Sequence, residues 1–457
     1  MDRVLTRKTL ALYAVGSLGT GGFATLPGLV LLYYMTNTLG IPALLAGVLV
    51  TVAKVWDVII DPVIGARSDH SLAVTGSRRR YMTLGAVLLP VFFVLTFAVP
   101  AGLGVVASGI WVVVAFMATA TAFSLFQVPY IALPAELADG YDQRTRLLSV
   151  RVVVLTFAIL LFGAGGPSLR KLGGENEYVG YLLMAVVAGV VIGIGMLISS
   201  RVAVTRAAAP VERTSIASSY RTGYAALRRS QPFRALLLTF ALQALATGIM
   251  LAGAQYVATS VLGDEGAIDL LFVALIAPAL LFAPVWQFIA RRIGKERGFA
   301  IASTLFGVAA LSLLGLFVAP GGWLYLPVAL AGAGYAGMQS LPMAMLPDVI
   351  SSDGRGEAGT FGGVWTAGET TGMALGATVL AIVLAATGYL ASTGSGFADQ
   401  STTAVGGIIA GFSIVPAVFI AASLLVFRRV WERLPPSARR VGQGSGHALS
   451  MSSLRSL

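Results

Sequence analysis

Residues 41–66 read IPALLAGVLVTVAKVWDVIIDPVIGA, an apolar run that contains three charged side chains. A helix of about 20 apolar residues spans the hydrocarbon core of a membrane, and this run is longer. Charged residues make up only 11% of the whole chain, and the mean hydropathy is +0.85. In soluble domains about a quarter of the residues are charged. The sequence therefore predicts an integral membrane protein.

Apolar runs of this kind recur along the chain and predict twelve transmembrane helices. They are long and continuous, without the short alternating pattern of membrane β-strands. The 54 glycines suit the close packing of membrane helices. The predicted fold class is therefore all-α. The predicted spans are residues 9–36, 41–66, 81–99, 103–133, 147–167, 178–200, 234–262, 267–290, 298–318, 322–347, 358–390 and 403–427.

Basic residues cluster in alternate connections between the spans and in both tails. Under the positive-inside rule these segments are cytoplasmic, which predicts a multi-pass protein of the plasma (inner) membrane with both termini inside. This topology and contact with anionic membrane lipids account for the net charge of +11, so no nucleic-acid partner is expected. The basic clusters are residues 3–8, 67–80, 144–146, 201–234, 291–297, Arg355 and 428–455.

The longest polar stretch between spans, residues 201–233, divides the chain into six-helix halves at 1–200 and 234–427. Two pairs of segments echo one another across this linker, at the ends of spans 2 and 8 and of spans 4 and 10. Duplicated halves are typical of transporters that work by alternating access. The tail, residues 428–457, is rich in serine and glycine and is predicted to be disordered.

The residue inventory argues against an enzyme. The chain has no cysteine, and His70 and His447 both lie outside the predicted spans, so thiol catalysis and a zinc centre are not expected. No GxxxxGK[ST] motif indicates nucleotide binding. We expect a monomer without a cofactor. A non-transporting receptor or scaffold with the same fold is the alternative from another class.

Lys54, Asp57 and Asp61 are spaced by three and four residues, so a helix places them on one face. Ionisable groups inside a membrane span are costly and usually mark ion or proton pathways. Two carboxylates one turn apart can bind a small cation or share a proton. The alternative is a structural Lys–Asp salt bridge, with Asp61 at a helix break before Pro62.

Several motifs resemble the glycoside–pentoside–hexuronide:cation symporter family of the major facilitator superfamily. The resemblance covers nearly the whole chain and implies the twelve-helix fold of that superfamily in two six-helix halves. Its most specific part is WDxxxDP at residues 56–62. The similar segments are LYAVGSLGTGGFATLPGLVLLYYMTNTLG at 12–40, KVWDVIIDPVIGARSD at 54–69, GSRRRYMTLG at 76–85, FQVPYIALPAEL at 126–137, VWQFIARRIGKERG at 285–298 and LPMAMLPDVISSDGRGEAGTFGGVWTAGETTGMALG at 341–376.

The resemblance implies that Asp57 and Asp61 bind the coupling cation and that Ser124 contributes a hydroxyl. It also places Lys54 where the family usually has arginine, and Arg151 near the substrate. The coupling ion is H⁺ or Na⁺. Ile60 stands where many members carry an oxygen-bearing side chain, which favours a proton.

Departures from the melibiose permease branch concern the sugar site. Gly21 and Gln127 occupy the positions of two sugar-binding aspartates, Ile131 that of an aromatic residue, and Thr370 that of a lysine. The segment LPMAMLPDVI is closer to the lysophospholipid branch. We therefore expect an amphiphilic solute, such as a lysolipid or lipid-like glycoside, with a glycoside as the alternative. Beside Thr370, Glu369 is a candidate second proton carrier or a glutamate hydrogen-bonded to Thr366 or Thr370.

The remaining candidate residues belong to gating. Arg78 is predicted to be a topology anchor that forms salt bridges with acids such as Asp348. Glu136, Asp142 and Arg144 lie in a loop of the kind that locks the two halves together in one state of the cycle and releases them in the other.

Overall fold

The computed structural model describes residues 6–137, 141–174, 176–203, 225, 227–353, 358–392 and 399–431, and twelve long helical segments dominate them. The first six are α1 Arg7–Thr38, α2 Ala43–Thr75, α3 Arg79–Phe97, α4 Val105–Leu137, α5 Tyr141–Arg170 and α6 Glu177–Ser200. The other six are α7 Gln231–Val261, α8 Ala267–Ile293, α9 Lys295–Phe317, α10 Tyr325–Asp353, α11 Ala358–Ala386 and α12 Thr402–Arg429.

Eleven of these segments are long and apolar enough to cross a membrane, among the residues that the structure describes. The twelfth is α10, a helix of 29 residues that packs along α8 and α9 and corresponds to the tenth predicted span. The predicted tail beyond Trp431 and most of the predicted linker lie outside the described residues.

The helices pair in the same way in each half. In the first half α1 packs on α5, α2 on α4, and α3 on α4 and α6. In the second half α7 packs on α11, α8 on α10, and α9 on α10 and α12. The second pattern is the first one shifted by six helices. The twelve-helix fold in two six-helix halves is therefore confirmed.

The first helix of each half ends in the same unusual way. A π-helical turn occupies Tyr34–Thr38 at the end of α1 and Val257–Val261 at the end of α7. In each case a leucine and a glycine follow, and Gly40 and Gly263 have φ angles of 66° and 67°. This left-handed conformation favours glycine, so the chain can leave both helices by the same turn.

The halves meet mainly through three helix pairs, α1 with α7, α2 with α11, and α5 with α8. At one end of the molecule the rings of Tyr33 and Tyr256 pack edge to face, with centroids 5.1 Å apart. The Thr36 and Tyr256 hydroxyls lie 2.7 Å apart. Tyr389 donates to the Asn37 side chain at 2.8 Å. We call this end of the molecule the closed end.

Two ion pairs also join the halves at the closed end. Arg170 of α5 contacts Glu265 at 3.2 Å, and Lys171 contacts Asp269 of α8 at 2.9 Å. The Arg170 side chain is only 3% exposed, and its guanidinium lies 5.2 Å from the ring centroid of Tyr181. In this state the guanidinium therefore contacts an aromatic ring as well as a carboxylate.

The contact between α2 and α11 extends inward as far as Thr51. The Thr51 and Thr378 hydroxyls are hydrogen-bonded to each other, and Thr378 also donates to the Gly47 carbonyl at 3.1 Å. Further along α2, the Lys54 side chain is 25% exposed and Asp61 is exposed. The space next to the inner face of α2 is therefore accessible from the other end, which we call the open end.

A disulfide between positions 51 and 378 is expected to trap this arrangement. The chain has no cysteine of its own, so Thr51→Cys with Thr378→Cys adds the only two thiols. We expect oxidation in membranes to protect both thiols from a polyethylene glycol maleimide applied after denaturation. In the control, Val52→Cys with Thr378→Cys, the first thiol lies on an exposed side of α2 and both stay reactive. Full labelling of the first pair after oxidation would contradict the α2–α11 contact.

Candidate cation and substrate site

Lys54, Asp57 and Asp61 of α2 face the interior of the protein. At about 100° per residue, Lys54, Asp57 and Asp61 lie within one narrow sector of the helix. The large apolar residues that α2 exposes occupy the opposite sector, which is the side suited to lipid. Near the charged residues these are Val48, Val52, Val55 and Ile59; α2 also exposes Leu44, Leu45 and Val74 nearer its ends.

Lys54 and Asp57 form an ion pair with a separation of 3.2 Å between Nζ and Oδ2. The Lys54 ammonium also lies over two aromatic rings, 5.6 Å from the centroid of Phe23 on α1 and 5.5 Å from that of Phe116 on α4. Such cation–π contacts attract the ammonium electrostatically. The Asp57 side chain is only 13% exposed, and its Oδ1 is buried without a hydrogen-bond partner among the described residues.

Asp61 lies one turn beyond Asp57 and beside a hydroxyl. Ser124 of α4 is its side-chain hydrogen-bond partner, and Asp57 and Lys54 are its charged neighbours. Ser124 itself is only 3% exposed. One lysine therefore faces two carboxylates, so the structural salt bridge accounts for Asp57 and leaves the charge of Asp61 without a partner of its own.

The other two candidate residues of the first half are Gln127 on α4 and Arg151 on α5. Gln127, one turn beyond Ser124, accepts a hydrogen bond from Thr20 of α1 at 2.7 Å. Tyr130 lies another turn along α4, and the Arg151 guanidinium of α5 lies 5.4 Å from the centroid of its ring. The Nε of Arg151 is buried without a hydrogen-bond partner among the described residues. The predicted residues of the first half thus lie on α2, α4 and α5, and Gln127 also contacts α1.

In the second half, Glu369 of α11 contacts α10. Its side-chain partner is Gln339, whose amide nitrogen also donates to the Tyr335 hydroxyl at 2.8 Å. The alternative partners expected from the sequence were Thr366 and Thr370. Thr366 donates to the Gly362 carbonyl of its own helix at 3.2 Å, as threonine commonly does within helices.

The gating residues are only partly described. Arg78 forms an ion pair with Asp69 at 2.6 Å and donates to Ser68 at 2.9 Å. Both partners belong to the last turns of α2 in the same half, where the chain turns back towards α3. The side chains of the other gating candidates lie outside the described residues. These candidates are Glu136, Asp142, Arg144 and Asp348.

The contacts at the closed end were not predicted from the sequence. Arg170 and Lys171 stand out as basic residues in a loop on the predicted outer side, and Glu265 and Asp269 are acidic residues near another loop there. This opposition of charge was the only signal. The aromatic partners of Lys54 gave no signal, because Phe23 and Phe116 lie far from it in the chain and resemble any other apolar residue of a span.

Twelve membrane helices in two repeated halves, with an ion pair and a further carboxylate on the inner face of α2, define the class. It is the major facilitator superfamily of transporters, which are not enzymes. The family model described as "MFS/sugar transport protein" matches residues 12–430. The chain belongs to this family and, within it, to the glycoside–pentoside–hexuronide:cation symporters, as the sequence motifs predict.

Curated relatives match over most of their length. The "Glucuronide carrier protein homolog" of Escherichia coli (strain K12) is 25% identical over 94% of this chain and 93% of its own. The "Isoprimeverose transporter" of Lactiplantibacillus pentosus is 25% identical over 89% and 85%. The crystal structure of a D-xylose-proton symporter superposes with a TM-score of 0.65 at 15% identity, over 94% of this chain and 98% of that one. This last likeness shows the shared fold.

Removal of the lysine is expected to destabilise the protein through Asp57. Lys54→Met leaves a mostly buried carboxylate unpaired, and we expect the free energy of unfolding to fall by about 1–3 kcal/mol. This is below the range for fully buried pairs because both groups are partly exposed. The double variant Lys54→Met with Asp57→Asn removes both charges and should recover most of the lost free energy of unfolding. The measurement is thermal unfolding in detergent at alkaline pH. Equal destabilisation by the single and double variants would contradict the ion pair.

Proposed function

We propose that the protein is a cation-coupled symporter that carries a glycoside across the plasma membrane by alternating access. The observation that carries this proposal is the carboxylate pair on the inner face of α2, in which one lysine faces two aspartates. The names of relatives support a sugar: one is a glucuronide carrier homolog and another an isoprimeverose transporter. The amphiphilic solute expected from the sequence has no such support, and we adopt the alternative.

The charge on α2 explains the coupling. With Lys54 and Asp57 paired, Asp61 is the carboxylate whose charge remains. Closing the two halves over a bare carboxylate would cost several kcal/mol, because the occluded state is poor in water. A bound cation or proton removes this penalty, and the substrate then completes the surface between the halves. The protein that has bound substrate but no cation or proton therefore cannot move it across the membrane at a useful rate.

The positive-inside rule places both termini in the cytoplasm, and with this orientation the closed end faces outwards. The open end then faces the cytoplasm, and the arrangement corresponds to the state that releases substrate. In the opposite state, Arg170, Lys171 and the hydroxyl contacts at Thr36 and Thr51 must separate. When these contacts form after substrate entry, they close the outer side of the protein.

Uptake into proteoliposomes tests the proposal. We expect accumulation of isoprimeverose or a 4-nitrophenyl glucuronide when a proton or sodium gradient is imposed, and none without it. Asp57→Asn and Asp61→Asn should each abolish accumulation because the site loses the charge that the cation must neutralise. The thermal unfolding of Asp61→Asn should stay close to that of the wild type, whereas Asp57→Asn should fold but lose the stability of the ion pair with Lys54. The control is Asp399→Asn, at an exposed carboxylate in the segment before α12.

Three results would overturn the proposal. Full gradient-driven accumulation by both aspartate variants would remove the coupling role of the pair. Accumulation of lysolipid in place of either sugar would restore the amphiphilic solute. Binding of a sugar without any transport would favour the receptor or scaffold alternative.

A separate prediction concerns the ion, for which we propose the proton. A sodium ion requires several oxygen ligands, whereas a proton requires one carboxylate oxygen. Besides the aspartates, Ser124 is the nearby hydroxyl, and Ile60 provides no oxygen. Ser124→Ala should therefore preserve pH-driven uptake, with Asp61→Asn as the inactive comparison. Sodium-driven uptake in the wild type that Ser124→Ala abolishes would contradict a proton.

A further inference from the structure

The connection between α11 and α12 reaches from the second half of the protein onto the first at the closed end. We call its residues 388–392 the outer strap. We propose that the outer strap is a lid over the outer entrance, which closes by binding to the π-helical turn of α1 and opens together with the second half. This inference rests on the alternating access of the proposed function, but it is independent of the solute and of the coupling ion.

The outer strap is hydrogen-bonded to two successive residues of α1. The Ser392 N–H donates to the Thr36 carbonyl at 3.0 Å, and the Ser392 hydroxyl donates to the Asn37 carbonyl at 3.2 Å. The Tyr389 hydroxyl donates to the Asn37 side chain at 2.8 Å. A short segment of the second half is therefore joined to a single turn of the first half by several hydrogen bonds.

The π-helical turn of α1 makes the acceptors of these bonds available. Its Leu39 N–H donates to the Tyr34 carbonyl, five residues earlier, at 3.1 Å. The helix ends at this wider turn, and the last carbonyls of a helix have no partner within it. The Thr36 and Asn37 carbonyls belong to this group, so they accept from Ser392. The irregular end of α1 is therefore the receptor for the outer strap.

The outer strap is held in shape by its own half. It begins at Gly388, whose φ angle of 75° lies in the left-handed region that favours glycine. The Gln400 side chain binds both backbone groups of Leu390, the N–H at 3.0 Å and the carbonyl at 2.9 Å. Because these contacts lie within the second half, the outer strap moves with that half and carries the donors of Tyr389 and Ser392 with it.

Tyr389 also ties the outer strap to the contact between α1 and α7. Its side chain is buried, and its ring packs edge to face on that of Tyr256, with centroids 5.3 Å apart. Tyr256 in turn contacts the Tyr33 ring and the Thr36 hydroxyl of α1. The outer strap and α7 therefore hold the same end of α1, and the halves separate here only when both have left it.

The corresponding connection of the first half, between α5 and α6, crosses the closed end by a different chemistry. Lys171 pairs with Asp269 of the second half at 2.9 Å, and Arg170 at the end of α5 pairs with Glu265 at 3.2 Å. Each half thus extends its last outer connection onto the other half. Salt screens exposed ion pairs, whereas the outer strap uses neutral donors and acceptors. The lid therefore keeps its strength when the ionic strength outside changes.

The experiment measures how often the outer side opens, by maleimide labelling of a buried cysteine. The chain has no cysteine, so Ala252→Cys adds the only thiol. Ala252 is 2% exposed and lies one turn before Tyr256, on the face of α7 that meets α1. A membrane-impermeant maleimide outside right-side-out membrane vesicles reaches this thiol only when the outer side is open. The labelling rate therefore follows the open fraction.

We expect Ser392→Ala and Tyr389→Phe, combined in one chain, to speed this labelling. A neutral hydrogen bond changes an equilibrium by roughly 2- to 10-fold, so the loss of two should raise the rate by about 5- to 100-fold. Thermal unfolding close to that of the wild type would exclude labelling through global unfolding. The matched control, Ser312→Ala with Tyr325→Phe, removes the same kinds of hydroxyl at the outer end of the second half. The Ser312 hydroxyl bonds within its own helix, so the control should keep the unchanged rate.

Two further measurements separate a lid from a contact that only supports the fold. Asn37→Ala breaks the bond to Tyr389 from the first half and should also speed labelling, and adding Tyr389→Phe should speed it no further. At high salt, the effect of the Ser392 and Tyr389 double variant should persist. Lys171→Met, which breaks the ion pair with Asp269, should speed labelling at low salt and lose this effect at high salt.

The lid and the proposed function fail in different ways. An unchanged labelling rate in the Ser392 and Tyr389 double variant, or an equal increase in the Ser312 and Tyr325 control, would overturn the lid. Additive effects of Asn37→Ala and Tyr389→Phe would overturn the contact by which it closes. The labelling requires neither sugar nor coupling ion. Absence of gradient-driven sugar uptake, with the expected labelling rates, would therefore reject the proposed solute and coupling and leave the lid in place.

Discussion

The structure depends on a negative charge that has no cation of its own inside an apolar helix. Lys54 is paired with Asp57 at 3.2 Å, and Asp61, one turn further along, has a serine hydroxyl for a neighbour. Because lipid cannot solvate this charge, α2 must present it to the interior, and α4 must present a polar face to meet it. The same charge makes the closed, water-poor state unfavourable until something neutralises it.

Features that depend on local sequence were predictable, and features that depend on the rotation of one helix against another were not. The spans follow from hydropathy, and the Lys54–Asp57 pair follows from a spacing of three residues. Arg78 pairs with Asp69 on the neighbouring turns, and the side chain of its predicted partner Asp348 lies outside the described part of the chain. The partners of Glu369 lie on α10, about thirty residues away in the sequence, and only tertiary packing selects Gln339 over Thr366.

The preference for an amphiphilic solute shows how a partial inventory misleads. It rested on Gly21, Gln127 and Ile131 in the first half and on the segment LPMAMLPDVI at 341–350 in the second. The halves repeat in their helix pairing but not in their polar residues. The first half carries the ionisable groups of α2, and the second carries Glu369 on α11. A repeated scaffold thus carries two different surfaces that face one another.

The matching π-helical turns at Tyr34–Thr38 and Val257–Val261 bear on the ancestry of the chain. A turn of this kind is rare and tends to be kept where it has a use. Its presence at the corresponding place in both repeats, each followed by leucine and glycine, is most simply explained by a single event in a six-helix precursor. The irregularity is then older than the gene duplication, and the charged residues of α2 diverged from their counterparts on α8 afterwards.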